Sequence, residues 1–154
     1  MVVEEKSINE IIKDVYNGTI DTVKKTIPLE PAIGAPAIIE PPLEVAFGVL
    51  IGFTGDIKGE LVLQADDQFF ATVGESMFGM PVTGDMLESF AGELGNMIAG
   101  GLATYLATQS IKTDITHPTV LKGDAALSGF KRALFVDVSY TDQQKLAIHL
   151  LLNK

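Results

Sequence analysis

Helices packed on a mostly antiparallel sheet, an α+β arrangement, are the expectation for this 154-residue chain. Three features point there. Apolar residues recur at helical spacing near the N-terminus and again in two central segments, while strict alternation marks two strands near the C-terminus. The order is helix, strands, two helices, strands, without the regular strand–helix alternation of a parallel sheet. No repeat or break in composition divides the chain, so residues 1–154 are expected to form a single domain.

Ser7-Ile8-Asn9-Glu10 has the form of a capping box, with Ser7 accepting from the first-turn amides and Glu10 reaching back. Ile8, Ile11, Ile12, Val15, Thr19 and Val23 follow at helical spacing and predict a long amphipathic helix that ends before Pro28. Gly18 lowers its intrinsic propensity, so packing must hold it. The stretch from Pro28 to Pro42 is proline-rich, and its missing amide donors argue against a central strand. It is either an edge strand with irregular flanks or a connector. From Leu43 to Ala65 the pattern turns to strands: LEVAFGVLIGF, a turn at Thr54-Gly55-Asp56, then GELVLQA, a hairpin whose loop carries Gly55 and Gly59. Two helices come next. DDQFFATVGESMFG opens on Asp66-Asp67, whose charges suit the positive end of the helix dipole, and stops at Gly79. After Pro81 a longer helix runs from about Asp85 to Ser110. ALFVDVSY then sets Leu134, Val136, Val138 and Tyr140 against Ala133, Phe135, Asp137 and Ser139. Thr141 to Gln144 turns the chain, and KLAIHLLLN puts Leu146, Ile148, Leu150 and Leu152 on one face.

Hydrophobic residues make up 47% of the chain, enough for burial to drive folding without metals or disulfides. The absence of cysteine excludes a disulfide framework, a thiol nucleophile and a cysteine zinc site, and fits a reducing compartment. The start, MVVEEKS, lacks the basic-then-apolar order of a signal peptide. The longest apolar run, Val45 to Phe53, is too short to cross a bilayer. A soluble, cytoplasmic protein is expected. A net charge of −9 repels phosphate backbones and anionic lipid, so neither nucleic acid nor membrane is an expected partner. P-loop, dinucleotide and G-x-S-x-G signatures are all missing. His117 and His149 read as structural or solvated side chains, and no metal site is expected on this chain.

The helix from Asp85 carries the chemistry. At about 100° per residue its side chains sort into two stripes. Leu87, Phe90, Leu94, Ile98 and Tyr105 form a core-packing face with Met97 and Leu102 at its edges. Ser89, Glu93, Asn96, Gly100 and Ala103 form a narrow stripe opposite, polar for three steps and then small. A solvated face is the bland account. Yet Asn is a poor interior helix residue, and Gly95, Gly100 and Gly101 each cost about 1 kcal/mol against Ala. Glycines beside a short polar pair suit a surface that another backbone approaches closely, or equally a helix packed tightly inside its own fold.

Ser89-x-x-x-Glu93-x-x-Asn96, followed by Pro118, resembles the signature of the CheC/CheX/FliY phosphatases. Glu-x-x-Asn alone is unspecific; a Ser one turn before and a Pro at the right distance make it far less so. The hairpin IGFTGDIKGELVLQA and the helix ending in MFG resemble the same family, over a span from about Ile8 to the C-terminus. Glu-x-x-Asn occurs once here, at Glu93, whereas CheC-like members usually show it twice, so the chain is similar to CheX. The resemblance implies a CheX/CheC-like fold and a phosphatase acting on the aspartyl phosphate of a CheY-type receiver in chemotaxis or related two-component signalling. It also implies a homodimer with a shared sheet, no cofactor on this chain, and Mg²⁺ on the partner receiver. Asn96 would position the attacking water and Glu93 would pair with the receiver's Lys. Ser89 and Pro118 would support that surface, and Gly100 and Ala103 would let the receiver lie flat. The rivals are a non-catalytic module of the same fold, docking a receiver or a flagellar-switch component, and a structural subunit with Glu93 and Asn96 buried.

Overall fold

The computed structural model of the chain describes residues 7–140 and 144–152. In chain order it contains α1 (Ile8–Thr26), β1 (Ala32–Ile33), β2 (Ala37–Ile39), β3 (Leu43–Gly55), β4 (Gly59–Gln64), α2 (Asp67–Phe78), α3 (Asp85–Thr108), β5 (Thr113–Ile115), β6 (Thr119–Leu127), β7 (Arg132–Ser139) and β8 (Lys145–Leu152). Ser7 caps α1 by accepting from the Glu10 amide at 3.2 Å, and the helix stops at Ile27. Asp66 caps α2 by accepting from the Phe69 amide at 2.9 Å, and Gly79 ends that helix in the left-handed region at φ 73°. Position 153 and most of the turn expected at Thr141 to Gln144 lie outside the described residues, as do positions 1–6 with most of MVVEEKS.

Among the described residues the strands form one antiparallel sheet in the order β1-β7-β8-β4-β3-β5, with β2 also on β7 and β6 also on β3. The expected hairpin is β3–β4. Gly59 is not in its loop, however; it opens β4 opposite Leu152. The proline-rich segment supplies two short edge strands, β1 and β2, both on β7. Prolines flank these strands and do not interrupt a ladder, as the missing amides require. Two strands were not foreseen. β5 has only three residues, and β6 has no alternating burial. Its path is broken at Gly123 and Asp124, both at positive φ, where the register against β3 shifts between Val45 and Phe47.

Helices cover one face of the sheet. Val49, Ile51, Leu61, Leu63, Val136, Val138, Leu146 and Ile148 point into a core shared with Val15 and Val23 of α1, Phe69 and Phe70 of α2, and Leu94, Ile98 and Leu102 of α3. Each fully buried aliphatic or aromatic side chain is worth roughly 1.5–3 kcal/mol of transfer free energy. The opposite strand phase holds a smaller cluster, Val62, Ala133 and Leu151, covered by Leu43, Val45 and Phe130. Among the described residues no helix is long and apolar enough to cross a membrane.

Candidate active site on helix α3

α3 is covered by the sheet on one side and by its two neighbouring helices on others, which fixes what it shows outside. Gly95 lies so close to β3 that a Cβ there would sit 2.7 Å from Val49 Cγ1 and 3.1 Å from Ile51 Cδ1. On the α1 side the approach is mutual: a Cβ on Gly18 would meet Tyr105 at 2.5 Å, and one on Gly101 would meet Thr22 at 2.6 Å. Gly95 and Gly101 are thus explained by packing inside the fold. Gly100 is different, with nothing within 4 Å of a Cβ built on it. The core face of α3 is correspondingly wider than the helical wheel drew it. Leu102 and Leu106 are fully buried, Tyr105 is half-buried against α1, and Met97, expected at the core's edge, is 38% exposed.

Glu93 and Asn96 are both exposed on the remaining face. One turn of helix separates them, about 4.5 Å along the axis, so they project from neighbouring positions. Among the described residues neither side chain has a hydrogen-bonding or ion-pairing partner, so both are free to meet another molecule. Burial of this pair, which would have favoured a structural subunit, is not observed. Ser89 is exposed one turn before Glu93, while Gly100 and Ala103 are half-buried further along the stripe. The structure therefore brings Ser89, Glu93, Asn96, Gly100 and Ala103 to one side of α3. Pro118 sits beside it at the entry to β6, its Cγ 3.9 Å from where a Gly92 Cβ would be. Pro118 thus packs against the helix one residue before Glu93.

Some contributors were not legible in the motif. Glu88 forms an ion pair with Lys122 of β6 at 2.8 Å, tying the first turns of α3 to the sheet. The Glu88 carboxylate, through its hydrogen bond and charge, raises the Lys122 pKa. Phe78, Met80 and Met86 stand exposed at the α2–α3 junction, lining with Ser89 and Glu93 a groove of about 780 Å³. Sequence reasoning took Phe78 only as part of a helix end; long apolar side chains beside an unusually polar helix stripe were the signal available.

The histidines lie elsewhere. His117 is exposed near Pro118. His149 is 4% exposed on the sheet face away from the helices and stacks on Phe135 with ring centroids 5.0 Å apart. Burial pushes its pKa down to about 4, with Asp137 opposing the shift. Among the described residues no three His, Asp or Glu side chains gather in a way that could hold a metal ion.

Comparison with known proteins bears on the whole chain. The family model described as chemotaxis phosphatase CheX matches residues 47–135, a span that includes Glu93, Asn96 and Pro118. The chain is 30% identical over 153 residues to the CheY-P phosphatase CheX of Thermotoga maritima, covering 96% of each. In fold it is similar to the CheX of the CheX–CheY–BeF3–Mg²⁺ complex from Borrelia burgdorferi, with a TM-score of 0.77 at 20% identity over 93% of this chain and 97% of that one. Thermotoga maritima FliY is a more distant likeness, with a TM-score of 0.64 at 16% identity, over 99% of this chain and 92% of that one.

Proposed function

The chain belongs to the CheX chemotaxis phosphatase family, and from that premise we propose that it hydrolyses the aspartyl phosphate of a CheY-type response regulator through Asn96 and Glu93. The observation that carries the assignment is the joint exposure of these two unpaired side chains on the one uncovered face of a rigidly packed helix.

An aspartyl phosphate is an activated acyl phosphate. Water attacking its phosphorus in line needs placement more than activation. A carboxamide suits that task because it donates and accepts hydrogen bonds without carrying charge. Asn96 accepts from the water, or donates to it, and holds one lone pair towards phosphorus. Glu93, on the same face, ion-pairs with a lysine of the receiver and sets the register in which the amide arrives. The P–O bond to the aspartate breaks, the carboxylate is released, and inorganic phosphate carries away the water's oxygen. The charge on the phosphoryl group is balanced by Mg²⁺ bound to the receiver. Gly100 adds no side chain to the surface, so the receiver backbone can settle flat beside Ala103.

Neither side chain has an internal bond to give up before docking, so the site is ready in the free protein. A homodimer and a cytoplasmic location belong to the same reading. The short strands β1 and β2 at one end of the sheet and β5 at the other leave edges on which a second copy can add, and the lack of cysteine suits a reducing compartment.

The direct test is incubation with a phosphorylated CheY-type receiver and Mg²⁺ while the acyl phosphate is followed in time. Decay faster than the receiver's own, lost in Asn96→Ala, is the expected result. Undiminished decay with Asn96→Ala would sink the assignment.

A further inference from the structure

We propose that the apolar groove at the α2–α3 junction seats apolar side chains that flank the phosphoacceptor site of the receiver, and that this contact carries much of the affinity. The proposal rests on the phosphatase reading and adds the part of the interface that holds the partner.

Large apolar side chains are costly to leave in water, and among the described residues only five stand out as exposed: Ile38, Phe78, Met80, Met86 and Met97. Three of these five, Phe78, Met80 and Met86, stand beside Ser89 and Glu93, and Met97 follows Asn96 on α3. Phe78, Met80 and Met86 are 58%, 55% and 57% exposed and wall a single groove. Its floor is the buried pair Val82 and Phe90, and Phe78 stands edge-on over Phe90 at 5.6 Å. The floor is fixed while the two methionine walls are flexible and polarisable, a combination suited to receiving a partner's side chains.

What covers it follows from position. Glu93 and Ser89 belong both to the groove and to the motif stripe. Met86 lies seven residues before Glu93, about 10 Å along the helix axis. A standard interface covers roughly 800 Å² per partner, a patch about 16 Å in radius. A receiver seated on Glu93 and Asn96 therefore lies over the groove as well. A second copy of this chain seated there would block both motif side chains and exclude the receiver. The rim carries Asp85 and Glu93, so the fitting surface is apolar with a basic neighbour.

The test uses Met80→Gln with Met86→Gln, near in size but polar, beside Met80→Leu with Met86→Leu. Each is measured for binding to a CheY-type receiver loaded with beryllofluoride and Mg²⁺, and for steady-state phosphate release. Because the side chains are exposed, thermal melting of both pairs should match the parent. The Gln pair is expected to raise Kd and KM about tenfold while kcat at saturating receiver stays within about twofold, and the Leu pair to bind like the parent. Unchanged receiver affinity in the Gln pair overturns the proposal. So does a Gln pair that binds the receiver normally but loses self-association, which would make the groove a contact between copies. If instead the parent binds the receiver without hydrolysing it, the phosphatase reading fails, and the binding arm still decides the groove.

Discussion

Asn96 and Glu93 differ in what their removal should do. On the proposed mechanism Asn96 holds the reacting water, and its side chain has no hydrogen-bonding partner within the described residues, so Asn96→Ala should lower hydrolysis on the order of a hundredfold or more while leaving receiver affinity close to the parent's. Glu93→Ala removes the charge proposed to dock the receiver and should weaken both binding and turnover. Titration of a beryllofluoride-loaded receiver against each variant, beside phosphate release, separates the two roles; loss of affinity in Asn96→Ala would mean that the amide docks and does not catalyse. His149 makes an independent prediction. Its pKa is held at about 4 in the fold against an ordinary 6.5, so the unfolded chain binds that proton first. Stability from this residue is complete above pH 6.5 and is lost as pH falls towards 4. The slope reaches at most about 1.4 kcal/mol per pH unit. His149→Leu should flatten the fall in urea midpoint between about pH 7 and about pH 5, and equal slopes in parent and variant would remove His149 from the account.

At the level of the helix, the glycines of α3 should respond in opposite directions. Gly95→Ala gains about 1 kcal/mol of helix propensity but drives a methyl into Val49, a stiff β-branched residue on a central strand, at a cost of roughly 1–3 kcal/mol. Net destabilisation is expected, with reduced turnover as α3 is pushed outward. Gly100→Ala has open space and should raise stability by up to about 1 kcal/mol, yet weaken receiver docking if that surface lies beneath the partner. Chemical denaturation with unchanged m-values reads the first effect and receiver titration the second. These cases also mark what the linear pattern conveyed. A wheel locates a polar stripe, and the three polar residues it drew together, Ser89, Glu93 and Asn96, are all exposed. It gives no count of the neighbours that cover a helix, so it placed Gly100 on the stripe but could not say that Gly95 and Gly101 are closed by β3 and α1, nor how far Met97, at the core's edge, stands out.

For the molecule as a whole, alternation in β7 and β8, the β3–β4 hairpin and the capped helices were all readable, because one periodic face of each enters the main core. β6 was not, since Gly123 and Asp124 interrupt its phase and its pairing with β3 joins residues far apart in sequence. β1 and β2 owe their existence to β7 and offer too few residues for any period to show. The exposed groove likewise required the turn at Gly84 to bring Phe78 and Met80 beside α3. If two copies do extend a common sheet, light scattering should give about twice the 16.4 kDa chain mass; a single-chain mass at micromolar concentration would remove that part of the proposal.

The flush contact at Gly95 has an implication for how activity and folding are linked. With bare backbone seated on β3, no compressible layer separates the strand from the amide one residue further on. The sheet acts as the datum from which Asn96 is measured. Conservative changes beneath it, such as Val49→Ile or Ile51→Val, should therefore register in turnover before they register in melting temperature, and catalysis becomes the more sensitive gauge of how well the core is built.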